Sequence, residues 1–141
     1  MTAPMHAFAA ELGLDPKVFE NSACFITAVR TGISGKVLQQ ALAQFENRQL
    51  FAGALNTDLE GLKEYGSFTR LNARQSESLL DSLRILGAVR AVWGSHELAE
   101  QWLDSPVQAL GGEKPVDLFD SYEGRRWVAQ VAKKIEFGDF S

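Results

Sequence analysis

The chain has 141 residues, 45% of them apolar, and a formal net charge of −4. That is enough apolar side chain for one compact domain or two small ones sharing a core, and it excludes wholesale disorder. The acidic balance excludes a general electrostatic footprint for nucleic acid, though not a local basic patch. The one cysteine, Cys24, excludes an internal disulfide and fits a reducing compartment. No apolar run approaches the ~20 residues that span a bilayer, and no basic-then-apolar leader opens the chain. A cytoplasmic protein without membrane contact is expected.

Pro4–Leu12 predicts a short helix stopped by Gly13. Asp15-Pro16 has the pattern of an N-cap with proline at the first helical position, but Asn21-Ser22 offers a new start almost at once. Over Ala23–Thr31, Phe25, Ile26, Ala28 and Val29 are spaced for a helix closed by Gly32. Ser34 can cap the next, whose face is Val37, Leu38, Ala41, Leu42 and Phe45. Gln49–Ala54 and Asp58–Tyr65 read as two short helices around the tight turn Leu55-Asn56-Thr57, a helix-turn-helix arrangement. Asn72 with Gln75 is close to a capping box. It opens the strongest helix, in which Leu79, Leu80, Leu83, Leu86, Val89 and Trp93 recur at helical spacing until Gly94. Ser95 caps a helix carrying Leu98, Ala99, Trp102 and Leu103, stopped by Ser105-Pro106.

From Trp102 to Gly124, apolar anchors alternate with turn residues, and Gly111-Gly112 lies between Pro106 and Pro115. Glycine permits positive φ and close backbone approach, and proline fixes φ, so this reads as a shaped, packed loop. The last helix starts at or just after Ser121. Val128, Val131, Ala132 and Ile135 form its apolar stripe, with Trp127 on the shoulder and Arg125, Arg126, Lys133 and Lys134 off it. Gly138 closes the helix before the stub Asp139-Phe140-Ser141. No alternating strand pattern or internal repeat is present. The expected fold class is all-α, with a helical domain over residues 1–94 followed by a small helical domain over 95–141.

The titratable residues assemble no catalytic constellation. His6 and His96 lack a partner at metal-ligand spacing, so neither a zinc site nor another metal is expected. Cys24 lies on an apolar face as an inert core thiol. Gly111-Gly112 lacks the Lys-Ser/Thr of a phosphate-binding loop and reads as a tight turn. The chain is expected to be no enzyme and to need no cofactor. Trp93 and Trp102 sit at core spacing, while Trp127 suits either core or interface. The basic residues of the last helix have three readings: a solvated face, docking onto acidic groups of a partner, or phosphate contact with DNA. The leucine-rich helix over residues 72–93 is either the central core helix or a dimerisation helix.

Trp102, Leu103, Pro106, Ala109, Leu110, Gly111, Gly112, Pro115, Asp117, Leu118, Gly124, Val128, Ile135 and Gly138 stand in an order and spacing that resembles the C-terminal domain of the Xre/MbcA/ParS antitoxins. These are the partners of RES-domain toxins, which degrade NAD or use it for ADP-ribosylation. The resemblance implies a two-part antitoxin of a type II toxin-antitoxin system. An Xre-like helix-turn-helix region, at about residues 48–65, would serve homodimerisation and autoregulatory binding to operator DNA, alone or with the toxin. The C-terminal domain would bind the toxin and occlude its NAD-binding active site. Carried onto this chain, the toxin-binding set is Arg125, Arg126, Trp127, Lys133, Lys134, Glu136, Phe137, Asp139, Phe140 and Ser141, with Glu136–Ser141 as the plug. The DNA-binding set is Arg48, Asn56, Thr57, Lys63, Arg70 and Arg74.

Three positions depart from the family pattern. Ser121 stands where Thr is frequent, which preserves capping. Asn56 stands at a turn position where Gly is common, and Asn tolerates the left-handed region. The presumed recognition helix, Asp58–Tyr65, sets three acids against one lysine and carries Gly61, which weakens a helix by ~1 kcal/mol relative to Ala. Base-reading helices present Arg, Lys, Asn or Gln instead. The alternative reading is a sequence-specific transcriptional regulator whose C-terminal domain serves only dimerisation.

Overall fold

A computed structural model describes residues 2–138. Eight α-helices follow one another in it: α1 (Thr2–Glu11), α2 (Ser22–Thr31), α3 (Gly35–Gln44), α4 (Arg48–Ala54), α5 (Leu59–Leu62), α6 (Ala73–Trp93), α7 (His96–Leu103) and α8 (Tyr122–Glu136). Two 3-10 turns, Gln108–Leu110 and Pro115–Leu118, connect α7 to α8. The described residues form no strand, only an isolated bridge between Ser34 and Arg70. The fold is all-α, as expected, and no helix among the described residues is long and apolar enough to cross a membrane.

The capping box that opens α6 is complete. Asn72 Oδ1 accepts from the Gln75 N–H at 2.8 Å, and Gln75 Oε1 accepts from the Asn72 N–H at 2.9 Å. Gly94, at φ +68°, supplies the left-handed residue that ends it. Between these caps the leucines decide the architecture. Leu79, Leu80, Leu83, Leu86 and Val89 are all 0% exposed. Their neighbours are α1, α2, α4, α7 and α8 of the same chain. Of the two readings of this helix, central core and dimerisation seam, the structure takes the first. These five side chains are covered within the chain, while Trp93 at the end of the stripe is half-buried. The core is one continuous cluster, from Phe8 and Leu38 through Phe51 and Leu83 to Leu110, Phe119 and Val128. Residues 1–94 and 95–141 therefore share a single core.

Several expectations shift in detail. Asp15-Pro16 opens a turn rather than a helix: Asp15 Oδ1 accepts from the Lys17 N–H at 2.8 Å, and Val18 and Phe19 fold inward. The helix expected over 58–65 is one turn long. Asp58 caps it, and beyond Leu62 the chain continues in tighter turns to Tyr65, whose carbonyl accepts from Gln39 and whose hydroxyl accepts from Gln75. Asn56 does take the left-handed conformation, at φ 54°. Helix α2 has no fully buried residue, though Phe25, Ala28 and Val29 pack against the core. Cys24 is accordingly half-buried and not a core thiol. Trp93 and Trp102 pack against each other at 6.5 Å between ring centroids, at the edge of the core.

A polar node joins α1, α3, α6 and α7. The Arg90 guanidinium lies over the rings of Phe8 and Phe45 and hydrogen-bonds Gln44 Oε1 at 3.2 Å. It also meets His96 Nδ1 at 3.0 Å, and since arginine only donates, that nitrogen accepts. Burial pulls Arg90 below the ordinary arginine range, opposed by Glu11 and Glu100. Burial also pushes the Glu100 carboxyl above its ordinary value, against a hydrogen bond from the Glu46 N–H and the charge of Arg90.

Two predictions follow from this packing. Leu83→Ala should destabilise the chain by about 2–5 kcal/mol in denaturant unfolding, the usual cost of truncating a fully buried leucine. Because Glu100 binds its proton more tightly folded than unfolded, its contribution to stability falls as pH rises from the ordinary carboxylate value through the raised one. Glu100→Gln should therefore raise the melting temperature at neutral pH relative to the parent, and the difference should vanish in acid.

Candidate toxin-facing surface

Helix α8 begins at Ser121, whose Oγ accepts from the Gly124 N–H at 3.0 Å. A Cβ on Gly124 would collide with the Leu118 carbonyl, so only glycine lets the helix start this close to the preceding turn. That turn is rigid. The Val107 N–H donates to the Glu113 carbonyl, and the Gly112 N–H to the Val107 carbonyl, each at 3.0 Å. Gly111 and Gly112 have φ of +67° and +84°. Leu110 and Phe119 are 0% exposed. The loop is shaped and packed, as its sequence implied, and it sets where α8 leaves the core.

Gly124, Arg125, Val128, Val131 and Ala132 form the buried face of α8. Arg125 thus departs from expectation. Its Nε donates to Asp81 Oδ2 at 2.8 Å and its Nη1 to the Phe119 carbonyl at 3.0 Å. Asp81 is held on its other side by Arg84 at 2.8 Å. Arg125 is an internal strut and not part of the exposed basic surface, because position 125 falls on the core face with Val128 and Ala132. Asp81 went unnoticed in the sequence, although an acid inside the run Leu79-Leu80-Asp81-Ser82-Leu83 was the available signal.

The opposite face carries Glu123, Arg126, Trp127, Gln130, Lys133, Lys134 and Phe137, all exposed. Arg126 pairs with Glu123 at 3.3 Å. Lys133 and Lys134 lie in the last turn, where cations also complement the helix dipole. Trp127 is 39% exposed. Its ring rests over Gly111, at 3.6 Å from where a Cβ would stand. Phe137 is 74% exposed. The two aromatics are about 15 Å apart along the axis at 1.5 Å per residue. Between them lies the basic stretch. Glu136 is also exposed. Asp139, Phe140 and Ser141 lie outside the described residues.

The DNA-binding candidates do not form one surface. Asn56 and Arg74 line a cleft of about 490 Å³ that also receives Asn72, Arg84 and Tyr122. Arg48 and Lys63 line a separate groove beside α3 and α5. Lys63 is paired with Glu60 at 3.1 Å. Arg70 donates to the Gly32 carbonyl at 2.7 Å, and Thr57 is half-buried in the turn. Among the described residues no group of His, Cys, Asp and Glu could hold a metal ion.

The geometry is that of a helical binding protein presenting one aromatic-and-basic helix face from a rigid turn. Residues 88–138 match the family model of the antitoxin Xre/MbcA/ParS C-terminal toxin-binding domain. The match begins inside α6 and ends at the glycine that closes α8. Over 132 residues the chain is 26% identical to the Prs ADP-ribosylating antitoxin of Sphingobium sp. (strain YBL2), covering 82% of this chain and 80% of that protein. Residues 88–138 thus carry the pattern of an antitoxin's toxin-binding domain, and most of the chain is similar to an antitoxin.

Removing the strut tests its role. Arg125→Ala leaves the Asp81 carboxylate buried with one partner, and the loss should be roughly 3–5 kcal/mol, the range for breaking a buried pair. Arg125→Lys should recover only part of it, since lysine cannot hold Asp81 and the Phe119 carbonyl in one planar fork. Chemical denaturation of both variants measures this directly.

Proposed function

We propose that the chain neutralises a RES-domain toxin by laying the outer face of α8 across the mouth of its NAD-binding site, with the residues that follow α8 entering the cleft. The observation that carries this is the exposed stripe Arg126, Trp127, Lys133, Lys134 and Phe137, on a helix whose direction is fixed by the preceding turn. Tryptophan and arginine are the residues that most often anchor protein interfaces. Lysines beside them suit an acidic rim and speed encounter. The name of the Sphingobium relative points to ADP-ribosylation, a reaction that consumes NAD and so agrees with an NAD cleft as the target. Occlusion needs no proton transfer or covalent step. It needs enough surface for a specific complex, about 1,200–2,000 Å² in total.

The chain also acts as a homodimer that binds its own operator DNA in this reading. The turn Leu55-Asn56-Thr57, with Asn56 left-handed between α4 and α5, supports a helix-turn-helix element. In its one-turn second helix Glu60 pairs with Lys63. Arg48, Arg70 and Arg74 are exposed and suit phosphate contact, which positions a protein without reading sequence. The function is set in the bacterial cytoplasm, where NAD and operator DNA are found.

Co-expression with the toxin from the adjacent reading frame tests the core of this. Trp127→Ala should weaken the complex by about 30-fold or more, as for an interface anchor. Lys133→Glu with Lys134→Glu should slow association and flatten its salt dependence. Deleting residues 137–141 should leave a complex that forms but no longer blocks NAD consumption. Full inhibition by the truncated chain would sink the plug. Failure of the intact chain to co-purify with the toxin would sink the whole reading.

A further inference from the structure

Two guanidiniums share the Asp81 carboxylate. Arg125 Nε donates to Oδ2 and Arg84 Nη2 to Oδ1, each at 2.8 Å. The carboxylate cancels one of the two charges, so the cluster keeps one positive charge uncancelled. Arg125 is 7% exposed, and its Nη2 has no partner among the described residues, although Nε and Nη1 both do. The Arg84 guanidinium lies 4.6 Å from the centre of the Phe25 ring, and its Nε and Nη1 also lack a partner among the described residues. A net charge held this deep is costly unless a counter-charge comes close to it.

All three residues line the cleft of about 490 Å³ that runs along one face of α6 to the start of α8. As a whole the cleft is neutral, with Arg74, Arg84 and Arg125 against Glu77, Asp81 and Asp120. The charges are sorted by depth, however. Glu77 and Asp120 are exposed, where water screens them, and so is Arg74. The uncancelled charge belongs to the inner cluster around Asp81. The first turns of α6 and α8 meet the same cleft at Asn72 and Ser121, and each adds the positive end of its dipole. Phe25 and Tyr122 give it aromatic walls, and the Tyr122 ring is 66% exposed and free to receive a flat group.

We propose that this cleft binds a small organic anion, its phosphate or carboxylate head against Arg84 and Arg125 and a flat body against Tyr122. The guanidinium fork matches either head with paired hydrogen bonds. The volume lies within the range of small-molecule sites. A duplex is too broad to bring its phosphates to a side chain that is 7% exposed, whereas a free molecule can reach it. The head adds a partner to the ion pair that places α8, so occupancy stiffens the start of that helix. The inference rests on neither the toxin nor the operator part of the proposed function.

Titration of the full chain with phenyl phosphate, benzoate and, as a neutral control, benzyl alcohol tests this, read by nitrogen NMR of the arginine Nε groups. The three probes share a ring and differ in the head. At least one of the two anions should shift the Arg84 and Arg125 Nε signals and saturate with a dissociation constant below about 1 mM, while benzyl alcohol leaves them in place. The tighter anion identifies the head as phosphate or carboxylate, and it should raise the melting temperature of the parent. Arg84→Gln, which can still donate to Asp81, should weaken it by about 10-fold or more. Tyr122→Ala should weaken it several-fold and Tyr122→Phe restore it. The Tyr122 variants keep the test open if Arg84→Gln fails to fold, since that ring is mostly exposed. Absence of a shift with both anions at about 10 mM would overturn the site. So would a shift that is unchanged in Arg84→Gln and in Tyr122→Ala, which places the anion elsewhere. A short DNA duplex that moves the Arg84 signal where neither anion does would give the cleft to nucleic acid and overturn the proposal.

Discussion

The buried pair between Asp81 and Arg125 is the contact on which the placement of α8 depends. It lies between the two longest helices, at 2.8 Å, with the side chains 12% and 9% exposed. Taking both charges out of water is expensive and is offset only by good geometry and further hydrogen bonds. Those are present: Arg84 takes the other carboxylate oxygen, and the Phe119 carbonyl takes a second guanidinium nitrogen. The pair thus fixes three things together, namely α6, the start of α8 and the end of the connecting turn. Apolar packing alone would tolerate a slide of α8 along α6. A directional ion pair with three partners does not.

Glycine and tryptophan complete this geometry on the outside. Gly124 lets the Leu118 carbonyl come within contact of the first turn of α8, and Gly111, at φ +67°, turns the loop that lies beneath the Trp127 ring. The signature stretch from Trp102 to Gly124 is therefore mostly structural. It aims the helix, while the residues that meet a partner stand on the helix itself.

A single core under both parts of the chain has a further consequence. Leu83, Phe51 and Phe119 belong to one cluster, so the region around α4 and α5 and the region around α8 are not independently hinged modules. A partner on α8 would be held in a fixed relation to the α3–α5 region by the same α6. Stability and function are coupled for the same reason: loosening the core anywhere loosens the angle at which α8 is presented.

Much of this was legible in the sequence. Caps at Ser34, Asn72, Ser95 and Ser121, the stops at Gly32 and Gly94, and the apolar stripes of α3, α6 and α8 are local signals, read from side chains within a turn of one another, and they fixed the helices and the all-α class. The positive-φ turn at Gly111-Gly112 was equally local. What the sequence left open is what depends on partners distant in the chain. Whether the leucines of α6 face a neighbour or a twin depends on five other helices. That Arg125 points inward depends on Asp81, 44 residues away. The ties of Tyr65 run to Gln39 and Gln75, 26 and 10 residues away. Periodicity and capping act over a few residues and so belong to the sequence; which face is covered, and by what, is a property of the packed chain, and only the tertiary structure decided it.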